Sequence, residues 1–113
     1  MKGIGLERDG ELVTVVMFEG WSGPNIWIHV ANTPGMVFAS RTFLAVVFDY
    51  PFNQLDVRRL SAYTEEANVA VQQLVRSLGF VPEARLVGVA RDGGDAIIHR
   101  MWRHECRYLP RRA

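Results

Sequence analysis

The stretch NVAVQQLVRSLGF, residues 68 to 80, carries the strongest structural signal in the sequence. An apolar stripe runs along it at intervals of three and four residues, formed by Val71, Leu74, Val75 and Leu78. Asn68 is a favoured residue for a helix N-terminal cap. Gly79 is the expected stop, because glycine adopts the left-handed conformation that ends many helices. The stretch therefore predicts a helix between Asn68 and Gly79, with a strand after it.

Length and composition are typical of a globular protein. The 113 residues predict a single domain over residues 1–113, with 49% hydrophobic and 22% charged residues. The longest apolar run, residues 43–48, is far too short to cross a membrane, and the first ten residues show no secretory signal pattern. The net charge of +1 gives no electrostatic case for nucleic acid. One cysteine cannot form an internal disulfide, which favours a reducing compartment.

Three strands are predicted at the start of the chain. GIGLE (3–7) and ELVTVVMFE (11–19) flank Asp9-Gly10, a dipeptide typical of hairpin turns, and IWIHVA (26–31) predicts the third strand. The second strand is apolar on both faces, which predicts that it is covered on both sides.

A further helix is predicted before the fourth strand. Its helically spaced positions are Ala39, Phe43, Val46, Val47 and Tyr50. Pro51 is expected to end it, and VRRLSAYT (57–64) then alternates as a strand. ARLVGVA (84–90) and DAIIHRMW (95–102) predict a final hairpin. The order βββ-α-β-α-ββ predicts an α/β fold with a mixed sheet, because a helix between strands implies a parallel crossover and hairpins are antiparallel.

Residues able to carry chemistry form no recognisable catalytic or metal-binding motif. His29 and His99 lie in predicted strands, and no histidine spacing matches known metal ligands. Satisfied or solvated histidines are therefore expected, with no metal site. Cys106 lies near His104, but adjacency in sequence is not a catalytic triad, and a buried thiol is favoured. The sequence names no catalytic residue.

Two acids and a basic tail leave alternatives open. Glu19 and Asp49 are flanked by mostly apolar residues, so either carboxyl has a raised pKa if it is buried, and Glu19 can face a cleft. The C-terminal run contains Arg103, Arg107, Arg111 and Arg112. It is either a solvated amphipathic end or a tail that binds phosphate or a partner, and the solvated end is favoured.

The opening stretch also carries a family resemblance. With VPEARL (81–86) and GGDAIIHRM (93–101) after it, it resembles the GNAT family of acetyl-CoA-dependent N-acetyltransferases. The residues in step with the family are Asn68, Val71, Leu74, Gly79, Phe80 and Glu83. The resemblance extends from the first hairpin to Trp102. It implies a reduced GNAT-like acyl-CoA N-acyltransferase fold and acetyl-CoA as the cofactor.

The resemblance also implies where acetyl-CoA binds. The pantetheine arm is expected between two splayed parallel strands, residues 26–31 and 58–64, with the pyrophosphate on N–H groups at the start of the next helix. The anion loop would be residues 32–40. The cofactor-binding residues implied in this way are Ile28, Val30, Asn32, Gly35, Ser40, Arg41 and Asn68.

Three departures from the family pattern bear on activity. The anion loop, NTPGMV (32–37), keeps Gly35, but Pro34 removes an N–H and Val37 adds a branched side chain. Val75 stands where the family has a tyrosine acid, and losing a general acid lowers rates by about 10² to 10⁴. The strand and two helices that begin the family are expected to be missing. These departures imply weak or lost acetyl transfer.

A narrower resemblance concerns origin and partners. Residues 41–68 and HECRYL (104–109) resemble short acetyltransferase-like proteins of tailed phages, some of them virion proteins. This implies a second copy or virion proteins as partners, in the host cytoplasm or the phage particle, without membrane or nucleic acid. Two functions stay open: a weak or inactive N-acetyltransferase, and a non-catalytic virion assembly protein that uses the fold as an interaction module.

Overall fold

The computed structural model describes residues 2–8, 11–32 and 41–109. Its elements are β1 (Lys2–Arg8), β2 (Glu11–Glu19), β3 (Asn25–Asn32), α1 (Arg41–Asp49), β4 (Arg59–Glu65), α2 (Val69–Leu78), β5 (Val81–Leu86) and β6 (Ala96–Trp102). A π-helical turn, Tyr50–Gln54, continues α1, and a 3-10 turn, Arg103–Glu105, follows β6. The order is the predicted one. The expected turn at Asp9-Gly10 lies outside the described residues.

The six strands form one mixed sheet. Their spatial order is β1-β2-β3-β4-β6-β5. Among the described strands, β3 and β4 are parallel neighbours and every other neighbouring pair is antiparallel. Parallel neighbours need a crossover connection, and the segment containing α1 provides it. The predicted α/β fold is therefore confirmed, with its parallel pair at the centre of the sheet.

The hydrophobic core lies on one face of the sheet. The strands contribute Val16, Phe18, Ile28, Leu60 and Met101, and the helices contribute Phe43, Leu44, Val47, Phe48, Val75 and Leu78. Both helices therefore pack on the same face. The prediction that β2 is covered on both sides is wrong: Thr14, Val16 and Phe18 are buried, whereas Val15 and Met17, on the other face, are only partly covered.

The ends of α2 are as predicted, but the end of α1 is not. Asn68 caps α2, since its Oδ1 accepts a hydrogen bond from the Val71 N–H at 3.2 Å. Gly79 ends the helix with φ 110°. Pro51 does not stop α1. The chain instead widens into the π-helical turn, in which the Leu55 N–H donates to the Tyr50 oxygen five residues earlier.

The strand β5 begins earlier than the sequence predicted. It spans Val81–Leu86 rather than residues 84–90, and it pairs with β6 through an irregularity between Pro82 and Ala84. Proline is tolerated here because β5 is an edge strand, where one row of backbone groups needs no partner. Val87 and Val89 consequently lie in the connection to β6 and are exposed.

The side chain of His99, on β6, is fully buried on the core face. Neither ring nitrogen has a hydrogen-bond partner among the described residues, which differs from the expected satisfied or solvated histidine. Burial lowers the pKa of His99, and the nearby charge of Arg76 lowers it further. The folded protein therefore favours the neutral form of this imidazole.

Acid should destabilise the fold through His99. Below the ordinary histidine pKa of 6.5, the unfolded chain binds a proton that the folded chain excludes. As the pH is lowered, the free energy of unfolding should then decrease by up to about 1.4 kcal/mol per pH unit. The decrease should end where the pH reaches the lowered pKa of His99 in the folded protein. Urea unfolding at several pH values between 7.5 and 5 measures this slope. His99→Leu should flatten it, and an equal slope in both proteins would contradict a buried neutral ring.

Candidate functional site

The strands β3 and β4 pair over only part of their length. Their register runs from Asn25 opposite Arg59 to Ile28 opposite Ala62. β3 then continues to Asn32 and β4 continues to Glu65, without further pairing between them. The two central strands therefore separate beyond Ile28, and a separation of these strands is what the family resemblance implied.

A cleft of about 200 Å³ lies at this separation. Its lining residues are Ile28, His29 and Val30 of β3, residues 62–65 of β4, Asn68, Val71 and Val75 of α2, and Arg91. The facing strand edges do not pair with each other here, so they can offer backbone N–H and C=O groups to an extended ligand that carries amides.

The cleft brings together three of the predicted cofactor residues. Ile28 and Val30 line it from β3, and Asn68 lines it from the start of α2. The Oδ1 of Asn68 already accepts from the Val71 N–H, so its Nδ2 is the part of the amide that can contact a ligand.

The other predicted residues lie elsewhere. Arg41 is the first residue of α1 and is exposed, with its guanidinium carbon 5.7 Å from the centre of the Tyr108 ring. Asn32 is the last residue of β3, and its side chain is not among those that the structure describes. Gly35, Ser40 and the rest of the predicted anion loop lie outside the described residues.

A histidine of the cleft lining is in contact with a glutamate outside that lining. His29 Nε2 lies 2.6 Å from Glu19 Oε1, with the side chains 39% and 49% exposed. The two atoms are in close contact, but their geometry does not make a hydrogen bond between His29 Nε2 and the Glu19 carboxylate. The sequence marked Glu19 as able to face a cleft but did not pair it with His29. The β2–β3 register makes them diagonal neighbours, because Glu19 stands opposite Trp27.

Comparisons with known proteins give matches among solved structures. No protein-family model and no curated protein matches the sequence. A mutant spermidine N-acetyltransferase from Vibrio cholerae superposes with a TM-score of 0.75 at 22% identity, covering 95% of this chain and 67% of that one. A GNAT-family acetyltransferase from Bacillus anthracis superposes with a TM-score of 0.73 at 16% identity, covering 92% of this chain and 68% of that one. A ribosomal-protein-alanine N-acetyltransferase from Brucella melitensis superposes with a TM-score of 0.71 at 22% identity, covering 88% of this chain and 67% of that one.

The chain has the GNAT fold. The fold class predicted from the sequence is thereby confirmed, and identities this low show the fold alone. The chain spans about two thirds of the length of these structures.

Within the GNAT fold of this chain, the cleft walls differ in their capacity to move protons. Val75 is 3% exposed and presents an apolar wall, so the position of the expected acid holds no proton donor. Tyr63 also lines the cleft, from β4, and its phenol is half-buried. From the sequence, Tyr63 was predicted only as a strand residue. The feature that could have identified it as a cleft residue is its position in β4, one of the two strands that the family resemblance implied to be splayed.

The remaining candidate residues have structural roles. The Asn53 and Gln54 amides donate to Asp49, which lowers the pKa of its carboxyl instead of raising it. Cys106 is a buried thiol, as predicted, and burial raises its pKa. In the described part of the chain no three His, Cys, Asp or Glu side chains are grouped as metal ligands, and no helix could cross a membrane.

Proposed function

We propose that this chain belongs to the GNAT family and binds acetyl-CoA in the cleft between β3 and β4, as an N-acetyltransferase with reduced catalytic equipment. The observation that carries the proposal is the end of the β3–β4 pairing at Ile28 and Ala62, which leaves two strand edges facing one cleft. The fold similarity to acetyltransferases supports it.

The chemistry of the cleft fits acetyl-CoA. The pantetheine arm carries two amides, and unpaired strand edges bind such a chain by backbone hydrogen bonds, as they bind an added strand. Ile28, Val30 and Val71 provide apolar walls around the arm. When bound, acetyl-CoA supplies an activated acetyl thioester for transfer to an amine.

Two side chains at the cleft are suited to proton transfer. An amine loses a proton when it is acetylated, and His29 is the neighbouring imidazole able to accept it. Glu19 lies in close contact with Nε2, so Nδ1 is the ring nitrogen left to accept the proton. The Tyr63 hydroxyl can donate a proton to the departing thiolate, a task that Val75 cannot perform.

Excess acetyl-CoA should raise the melting temperature of the protein, and blocking the cleft should abolish the effect. At a hundred times its Kd, a ligand adds about 2.7 kcal/mol, a shift on the order of 10 °C for a domain near this size. Val71→Trp places an indole in the cleft and should remove the shift. Val69→Trp, on the same helix but 58% exposed and outside the lining, should retain it.

The two variants separate the outcomes of that melting experiment. No shift in the unsubstituted protein at millimolar acetyl-CoA would overturn the proposed function. A shift that survives Val71→Trp would place the ligand outside this cleft.

A non-catalytic assembly protein of a phage particle is the second candidate. An apolar patch at the end of β5 favours it: Leu86 is 40%, Val87 80% and Val89 53% exposed. Pro82 and the irregularity after it disfavour pairing along the β5 edge itself. A contact would therefore use the patch. Light scattering that gives a mass above one chain, together with no acetyl-CoA shift, would favour this candidate.

A further inference from the structure

A second pocket lies between α2 and the edge strand β5. Its volume is about 380 Å³, within the range of about 300 to 1,000 Å³ that is usual for small-molecule sites. Three polar residues line it from α2 and the turn before that helix: Glu66, Gln72 and Arg76. The pocket shares no lining residue with the cleft between β3 and β4, so the proposed acetyl-CoA site does not account for it.

Arg76 carries the one charge of this lining that has no partner of opposite charge among the described residues. Arg85 lies 2.8 Å from the Glu66 carboxylate, and Glu83 lies 2.8 Å from the guanidinium of Arg59. Two carboxylates and two guanidiniums line the pocket, so the lining is neutral as a whole. A neutral lining with one unpaired guanidinium favours a ligand that carries a negative group without being a net anion.

Gln72 places a hydrogen-bond acceptor beside that guanidinium. Its Nε2 donates to the backbone oxygens of Glu65 and Glu66, at 3.1 and 2.6 Å. These two bonds orient the amide and leave its Oε1 to accept a hydrogen bond from a ligand. Because residues four apart on a helix are neighbours on its surface, Gln72 and Arg76 face the pocket side by side.

The strands provide the apolar part of the pocket. Pro82 and Ala84 of β5 are exposed, and Ile97 of β6 is half-buried. The charge of Arg76 acts close to this surface, since after burial it is the further cause that lowers the pKa of His99, the strand partner of Pro82. An apolar group of a ligand would therefore cover exposed apolar surface next to the guanidinium.

These features match the parts of one class of small molecule. A carboxylate fits the planar fork of donors on a guanidinium, and a neighbouring ammonium donates to an amide oxygen. We propose that the pocket between α2 and β5 binds a free α-amino acid with an apolar side chain. Arg76 binds its carboxylate, Gln72 Oε1 accepts from its ammonium, and its side chain packs on Pro82, Ala84 and Ile97.

The test uses leucine and two analogues that each lack one of its charged groups. NMR titration of the 15N-labelled protein gives the Kd of each compound. 4-Methylpentanoate lacks the amino group and isopentylamine lacks the carboxylate, so each should bind about tenfold or more weakly than leucine, as for a lost hydrogen bond to a charged group.

Three variants locate the bound leucine. Arg76→Gln should weaken its binding about tenfold or more. Arg58→Gln is the matched control and should leave the Kd unchanged, because Arg58 is an exposed arginine outside the pocket lining. Ala84→Phe should abolish binding, because it places a ring over the apolar part of the pocket at an exposed position of the edge strand.

Each outcome of the titrations decides the inference. No binding of leucine at millimolar concentrations overturns it, and so does either analogue binding as tightly as leucine. A leucine Kd that Arg76→Gln or Ala84→Phe leaves unchanged also overturns it, since the carboxylate or the side chain would then lie elsewhere. The acetyl-CoA proposal stands or falls separately, by the melting experiment, because the two sites share no lining residue.

Discussion

Replacing His29 by Gln should lower kcat for acetyl transfer by about 10² to 10⁴, the usual contribution of a general base. Glutamine keeps a polar side chain at the cleft but cannot accept a proton at neutral pH. The Kd for acetyl-CoA should change little, because the cofactor arm is expected to bind backbone edges and apolar walls rather than the imidazole. Release of free coenzyme A thiol in the presence of a primary amine measures kcat, and calorimetry measures the Kd.

Two further variants distinguish proton transfer from a structural role of His29. His104→Gln is the matched control, because His104 is an exposed histidine in the 3-10 turn and is not part of the cleft lining. Glu19→Gln should lower kcat/KM less than His29→Gln, because Glu19 contacts the imidazole and is not itself part of the cleft lining. Equal rates for His29→Gln and His104→Gln would contradict the assignment.

Phe48→Ala should reduce the free energy of unfolding by about 3 to 5 kcal/mol, the range for truncating a buried phenylalanine. Phe48 is fully buried, and its ring lies 6.5 Å from Phe52 and 5.4 Å from Tyr108. The truncation would open a cavity at the contact between α1, the π-helical turn and the C-terminal segment. Urea unfolding followed by circular dichroism measures the loss.

Val46→Ala is the control for that truncation. Val46 lies on α1 two residues before Phe48, but it is 54% exposed and should cost about 0.5 kcal/mol or less. A decrease of less than about 1 kcal/mol in the free energy of unfolding for Phe48→Ala would contradict a major contribution of the stacked rings to the packing of α1.

Local interactions account for the features that the sequence predicted well. The cap at Asn68, the left-handed Gly79 and the apolar stripe of α2 each depend on residues within one or two helical turns. The order of elements then restricts the sheet, because a helix between strands implies a parallel crossover. The α/β fold class and the central parallel pair follow from these short-range signals.

Features that depend on neighbours in space were predicted less well. Pro82 reads as a break in isolation, yet it lies inside β5 because that strand is at the edge of the sheet. Both faces of β2 are apolar in sequence, but the side on which α1 and α2 pack decides which face is buried. The widening of α1 at Pro51 likewise accompanies the packing of Phe52 into the core.

By itself, the sequence determined the helix between Asn68 and Gly79, the order of strands and helices, and, by resemblance, Ile28, Val30 and Asn68 as cleft residues. The tertiary structure alone decided where β3 and β4 separate, which brings His29 and Tyr63 to one cleft. It also brought Arg76 of α2 and Ile97 of β6 to one pocket. The physical reason is that helix signals act over a few residues, whereas strand register and the packing of side chains distant in sequence are set only when the sheet and its helices assemble.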